Sequence, residues 1–423
     1  MHTASTGTRV GASTRRILVA SLAGTTIEFY DFYIYATAAS LVFGPLFFPT
    51  SSPSAQLLSA YASFGLAFVA RPLGAVVFGH FGDRIGRKST LVASLLIMGL
   101  STLAIAFLPT YETAGWLAPL ALCVLRVGQG FGLGGEWGGA ALLAVENAPP
   151  GYRARFGMTP QFGAPLGFIF ANGAFLILGL VLTPGQFLAW GWRIPFLASA
   201  LLVGVGLWVR LQLTETSAFT AAVAEAPPPR IPLTEMLHNY PRETIGGILA
   251  AIVSFAIFYL ATAFALGYGT STLGIPRVDF LAVQLGAIVF LAVGIYVAGV
   301  LSDRFDVRRV LMAGCLGTVA VGFLLAPMMT SGSLVEIWLL LSMALLLMGF
   351  TYGPLGAWLT GLFPARVRYT GASVTFNTAG ILGGAITPFA AQALAEQGGL
   401  SSVGNYLSAA AFVSFLGLVA LRK

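Results

Sequence analysis

The chain has 423 residues, of which 57% are hydrophobic and only 9% charged, against about 25% charged in ordinary soluble domains. That balance excludes a soluble enzyme and implies a polytopic membrane protein embedded in lipid. The net charge of +7 calls for no nucleic-acid partner, because its distribution along the chain accounts for it.

The polar N-terminus, Met1 to Arg16, runs into a long apolar span without a cleavable signal pattern. A helix of about 20 apolar residues crosses a hydrocarbon core roughly 30 Å thick, and the first span, 17–44, exceeds that length. It carries Glu28-Phe29-Tyr30-Asp31-Phe32-Tyr33-Ile34-Tyr35. Glu28 falls about 16 Å along the helix, near mid-membrane. Spacings of three and four residues put Glu28, Asp31 and Tyr35 on one face. A carboxylate at that depth costs at least ~2.5–3.5 kcal/mol unless it meets a wet cavity or a partner. The pair is therefore expected to form a proton site lining a transport pathway, with Tyr30 and Tyr35 beside it.

Further spans follow at 56–80, 90–109, 114–143, 154–183, 188–211, 244–270, 278–301, 308–328, 334–363, 367–395 and 401–421. The fold class expected is all-α integral membrane, with twelve transmembrane helices in two pseudo-symmetric six-helix bundles. Arg9, Arg15 and Arg16 precede the first span, and Arg84, Arg87 and Lys88 follow the second. Arg153, Arg155, Arg210, Arg230, Arg242, Arg304, Arg308, Arg309, Arg366, Arg368, Arg422 and Lys423 complete 18 of the 22 Lys and Arg on one side. The positive-inside rule makes that side, and both termini, cytoplasmic. Arg193 and Arg277 fall at outer ends of spans; Arg71 and Arg126 lie within the membrane. Fifty-two glycines suit helices packed through small residues. Cys123 and Cys315 sit in apolar runs, so neither a disulfide framework nor a metal site is expected.

A polar stretch containing Ala226-Pro227-Pro228-Pro229-Arg230 divides the spans six and six. The expected organisation is an N-terminal bundle 1–211, a cytoplasmic linker 212–243 and a C-terminal bundle 244–423. An internal repeat crosses the linker. Gly79-His80-Phe81-Gly82-Asp83-Arg84-Ile85-Gly86-Arg87-Lys88 joins spans 2 and 3, and Gly299-Val300-Leu301-Ser302-Asp303-Arg304-Phe305-Asp306-Val307-Arg308-Arg309 joins spans 8 and 9. The two Asp-Arg pairs are 220 residues apart. Related halves with a midplane binding site are a common construction of alternating-access transporters.

The Gly-x-x-x-Asp-Arg-x-Gly-Arg-Lys loop resembles the hallmark of the major facilitator superfamily. Glu28 to Phe32, Ala70-Arg71-Pro72-Leu73-Gly74, Gly134-Gly135-Glu136-Trp137-Gly138 and Trp190-Gly191-Trp192-Arg193-Ile194-Pro195-Phe196 are similar to its metabolite:proton symporter branch, which includes shikimate, α-ketoglutarate, citrate and proline/betaine permeases. The resemblance implies a cytoplasmic gate at Gly79, Gly82, Asp83, Arg84, Gly86, Arg87 and Lys88. Asp83 would latch onto the start of span 11, near Arg368-Tyr369-Thr370-Gly371. A second gate would use Asp303, Arg304 and Arg308; Asp306 and Val307 replace the second glycine and its neighbour there, so a looser latch is expected.

Span 4 carries Arg126-Val127-Gly128-Gln129-Gly130 and then Glu136. Arg126 lies about 18 Å from the outer end, level with Glu28 and Asp31. A guanidinium at that depth needs a carboxylate or a bound anion. By resemblance to sugar and peptide symporters, Asp31 and Arg126 match a proton-coupling pair. Glu136 is placed to pair with Arg71, or to be structural. The deep charges Glu28, Asp31, Glu136, Arg71 and Arg126 are all in the N-terminal half. The C-terminal half offers Tyr259, Tyr268, Gln284, Tyr352, Thr375 and Asn377, and span 5 offers Gln161.

The reading is therefore an importer of a small mono- or dicarboxylate, driven by proton symport and alternating access, and not an enzyme. Proton coupling is assigned to Glu28, Asp31 and Arg126, and substrate contact to Arg71, Arg126, Glu136, Gln161, Tyr30, Tyr35, Tyr352 and Asn377. A proline/betaine:proton symporter is the alternative. Osmosensory carriers of that kind have a long C-terminal coiled coil, whereas span 12 here runs to Leu421. A drug:proton antiporter is disfavoured because Gly163-Ala164-Pro165-Leu166-Gly167 only partly matches the antiporter signature. His2, His80 and His238 all lie outside the deep membrane, which argues against hydrolase or metal chemistry. No cofactor is expected beyond the proton gradient, and the expected state is a monomer in the inner membrane.

Overall fold

The computed structural model describes residues 12–49, 52–85, 87–211, 232–364 and 367–421, without the side chains of 12–17, 79–80, 82–85, 87–91, 209–210 and 232. Among the described residues every regular element is helical. The physical reason is that hydrocarbon supplies no hydrogen-bond partner, so each backbone group must be satisfied inside its own segment.

The N-terminal half contains α1 (Ala12–Ala38), α2 (Pro53–Ile85), α3 (Arg87–Ile105), α4 (Leu117–Leu133 and Glu136–Glu146), α5 (Arg153–Val181) and α6 (Ile194–Leu211). The C-terminal half contains α7 (Pro241–Ser271), α8 (Arg277–Arg304), α9 (Val307–Met329) and α10 (Leu334–Leu362). A continuous trace from Arg368 to Ala420 then reverses at Gly399, whose φ of 70° suits a residue without a Cβ. Residues 368–398 are thus α11 and 400–420 are α12. The twelve expected crossings are all present.

Across the midline α2 packs on α11 and α5 packs on α8. Moving six helices along the chain turns each pair into the other, which is the signature of a pseudo-twofold axis. The first helix of each half also widens into a π-turn, Ala39–Phe43 after α1 and Leu260–Phe264 within α7. These turns start 221 residues apart, the same offset as the repeated loops to within one residue.

Residues 212–231 of the expected linker lie outside the described residues. Its remainder holds a short helix, Pro232–Asn239, which buries Met236 against Phe363 and Val367. Another short helix, Pro184–Ala189, leads towards α6 and opens with a capping box between Thr183 and Gln186.

Candidate functional site

The two halves enclose a small cavity at mid-membrane. Glu28, Phe29 and Tyr33 of α1, Arg71 of α2, Tyr259 of α7 and Tyr352 of α10 line it, with Trp137, Phe255, Phe258 and Phe376 completing an aromatic wall. Its volume of about 20 Å³ is room for about one water. The chain is therefore closed around the cavity, which must widen before a metabolite enters. The Arg71 guanidinium lies over the rings of Phe32 and Phe68, 4.3 and 4.6 Å from their centroids. Arg71 Nε and the Tyr352 hydroxyl are buried without a hydrogen-bond partner.

The acids of α1 do not act at one place. Glu28 lines the cavity, but Asp31 turns into the N-terminal bundle, where Ser199 of α6 donates to Oδ1 at 2.6 Å. A spacing of three residues leaves the two side chains about 60° apart round the helix. Between α2, α4 and α6 that angle is enough to assign them to different neighbours. Arg126 is likewise buried inside the bundle and does not line this cavity. It donates to Gln129 Oε1 at 2.9 Å and lies over Phe32, Tyr35 and Phe64 at 4.2, 4.0 and 4.9 Å. The expected direct contact of Asp31 with Arg126 is thus absent in this conformation.

The other expected residues divide similarly. Tyr352 and Asn377 line the cavity. Tyr30 donates to the Pro195 carbonyl at 2.8 Å, and Tyr35 pairs with Ser63 at 2.8 Å. Both anchor α1 rather than face the cavity. Glu136 opens the second segment of α4 and accepts from Ser94 at 2.5 Å. Gln161 accepts from Trp137 Nε1 at 3.2 Å and backs that ring instead of lining the cavity.

The cavity is sealed on both sides by bonds between the halves. On the outer side, Ser40 of the first π-turn and Tyr61 of α2 donate to the Ala263 carbonyl of the second, at 3.1 and 2.7 Å. A π-turn frees carbonyls from the helical ladder, and here those carbonyls take cross-half donors. Asn172 of α5 donates to Gln284 of α8 at 3.4 Å, and Gln284 in turn binds the Ala261 and Thr262 carbonyls. Arg277 sits over Phe187, 3.7 Å from its centroid.

On the cytoplasmic side α4 breaks at Gly134-Gly135. Asn377 of α11 donates to the Gly134 carbonyl at 3.0 Å, and Tyr369 donates to that of Gly135. Trp137 stacks on Phe376 with centroids 3.6 Å apart. Asp303 caps the first turn of α5, accepting from the N–H groups of Ala154 and Arg155 at 2.9 and 3.2 Å and pairing with the Arg155 side chain at 3.2 Å.

This second latch is therefore not loose. Asp306, which departs from the repeat, N-caps α9 by accepting from Arg309 N. Arg308 donates to the Leu418 and Val419 carbonyls, so it caps α12 within its own half and bridges no gate. Arg304 is exposed. The side chains of the first loop, including Asp83, Arg84, Arg87 and Lys88 with Gly79, Gly82 and Gly86, lie outside those described.

Residues 21–388 match the family described as Major Facilitator Superfamily. The chain belongs to that superfamily. It is 48% identical over 414 residues to the inner membrane metabolite transport protein YhjE of Escherichia coli, covering 96% of this chain and 94% of that protein. It is 39% identical over 419 residues to the shikimate transporter of the same organism, covering 96% and 94%. The fold is that of the Escherichia coli xylose transporter XylE in a partially occluded inward-open conformation, with a TM-score of 0.76 at 14% identity and 98% of each chain covered. The protein is thus a membrane transporter and not an enzyme.

Within this superfamily fold, three features of the site region escaped sequence reasoning. The π-turns carry no residue signature. Gln129 and Thr102 form a polar bridge inside the bundle, and the available signal was a glutamine three residues after a deep arginine. Trp137 was visible only as part of a motif, and its role as a cavity wall depends on Phe376 from the other half.

Proposed function

We propose that this transporter is a proton symporter in the inner membrane that imports a small organic anion carrying one carboxylate. The observation that carries the reading is Arg71, a buried guanidinium with an unpartnered Nε, lining an aromatic cavity with the hydroxyls of Tyr33, Tyr259 and Tyr352. A guanidinium binds carboxylate with a planar fork of donors, and tyrosine hydroxyls suit hydroxyl groups on the substrate. The likeness to a shikimate transporter supports a hydroxylated acid. Among the described residues Arg71 is the one cation lining the cavity, which favours a monocarboxylate over a dicarboxylate. Arginine at the cavity also argues against a cationic drug.

Proton coupling belongs to Asp31. A carboxyl group removed from water is held more cheaply with its proton than without it. One proton and one monoanion together add no net charge, so the fully loaded carrier holds the same buried charge as the empty one and both reorient, whereas a carrier loaded with one of the two does not.

A second reading is a zwitterion such as proline or betaine, because Glu28 and Arg71 line the same aromatic-walled cavity and aromatic faces attract quaternary ammonium groups. A thermal-shift screen of the purified protein against hydroxylated acids, dicarboxylates, amino acids and betaines separates the two. A specific ligand at a hundredfold excess over its Kd stabilises by about 2.7 kcal/mol. Stabilisation by betaines with none by monocarboxylates overturns the anion reading.

A further inference from the structure

Asp31 and Arg126 do not touch, and a chain of polar side chains runs from Arg126 through Gln129 to Thr102. Asp31, Thr102, Arg126 and Gln129 are each at most 1% exposed. A guanidinium only donates, so Gln129 must turn Oε1 to Arg126, and its Nε2 then points to the Thr102 hydroxyl at 2.7 Å. Having accepted that bond, Thr102 has one hydrogen to give. In this structure it donates to the Met98 carbonyl at 2.9 Å, and Asp31 is the neighbouring alternative acceptor. An ionised carboxylate is the stronger acceptor, so the hydroxyl turns to Asp31 when the acid is charged and to Met98 when it is protonated. Asp31 Oδ2 and Arg126 Nη2 are both buried without a hydrogen-bond partner, which leaves capacity at each end. Beyond Arg126, the ring of Phe32 is shared by the guanidinium groups of Arg126 and Arg71, at 4.2 and 4.3 Å. Arg71 lines the cavity.

We propose that Thr102 and Gln129 are positioning residues that transmit the protonation state of Asp31 to Arg126 and, across the Phe32 ring, to Arg71 at the substrate cavity. The inference rests on the reading of Asp31 as the proton site. It replaces a direct acid–arginine switch with a hydroxyl–amide relay. The titratable groups facing Asp31 are Glu136 of α4 and Tyr30 of its own helix, and Glu136→Gln serves as the control for the first.

The test needs no substrate. In full-length protein lacking its two cysteines (Cys123→Ser, Cys315→Ala), Ser254→Cys places a thiol on the cavity wall, and its maleimide labelling rate is measured at acidic and alkaline pH relative to that of the same thiol in denatured protein at each pH, which removes the thiol's own ionisation. The parent should change its rate by about fivefold or more, a typical coupling between sites. Gln129→Met and Thr102→Val should remove that pH response in protein that remains folded though less stable, whereas Thr102→Ser, which keeps the hydroxyl, and Glu136→Gln should retain it. If Asp31→Asn abolishes the response while Gln129→Met and Thr102→Val keep it, the relay is wrong and the proton site stands. If Asp31→Asn keeps the response, the proton site itself is wrong and the relay falls with it. Should one relay variant fail to fold, the other decides alone.

Discussion

The cytoplasmic seal makes a quantitative demand at Asp303. Its carboxylate joins the halves by accepting two backbone N–H groups at the start of α5 and pairing with the Arg155 side chain, and it is 6% exposed. Asp303→Asn keeps the shape and one acceptor but removes the charge. Hydrogen bonds involving a charged group contribute about 1.5–3 kcal/mol and neutral ones about 0.5–1.5. Arg155 is 32% exposed, so its share is discounted for screening. The net loss to the inward-closed state is about 1–2 kcal/mol, or roughly a 5–30-fold shift in population. The assay is maleimide labelling of Ser254→Cys, in the cysteine-free background, from the cytoplasmic face of inside-out vesicles. The rate should rise by that factor while ligand affinity changes little. An unchanged labelling rate together with a large loss of affinity would refute the reasoning and place Asp303 at the substrate site.

The break in α4 gives a second demand. Tyr369→Phe with Asn377→Ala removes both bonds to the Gly134 and Gly135 carbonyls, at about 0.5–1.5 kcal/mol each, and should also raise cytoplasmic labelling; a rate equal to the parent's rules the latch out. Gly130 lies against the Ala67 backbone carbonyl, which a Cβ would strike, so Gly130→Ala should force α2 and α4 apart, cost about 1–3 kcal/mol and lower the Tm. An unshifted Tm contradicts that packing. Arg308→Ala should cost stability and spare gating, since Arg308 binds only carbonyls at the end of its own half's α12. Altered cavity labelling without a stability loss would return it to the gate.

The topology was legible because it depends on bulk properties of each segment. Long apolar runs specify crossings, and the one-sided arginines specify their direction. Even the turn between α11 and α12 sits at a glycine, Gly399. The site was legible in part. Depth along a helix follows from counting, so Glu28, Asp31, Arg71 and Arg126 were recognisable as buried charges. Their partners were not, because partners depend on how far α1 is rotated, and packing against α5 and α6 sets that rotation. An angle of about 60° sent Glu28 to the cavity and Asp31 to Ser199. Asn377 was expected at the substrate, and it also binds the Gly134 carbonyl, a group that exists as a free acceptor only because α4 breaks there. Gln129 was read only as part of a motif and Thr102 passed unnoticed, because a buried amide or hydroxyl in a membrane helix is significant only beside its partner.

The central claim is that inward proton flow drives uptake of a monocarboxylate and that Asp31 carries the coupling. It is tested most directly in proteoliposomes by following uptake of the monocarboxylate identified by thermal shift, with and without an inwardly directed proton gradient, in the parent and in Asp31→Asn. The account predicts that the gradient drives accumulation above the external concentration in the parent. It predicts that Asp31→Asn loses this accumulation while still exchanging internal for external substrate. Uphill accumulation by Asp31→Asn at the parental level would contradict it.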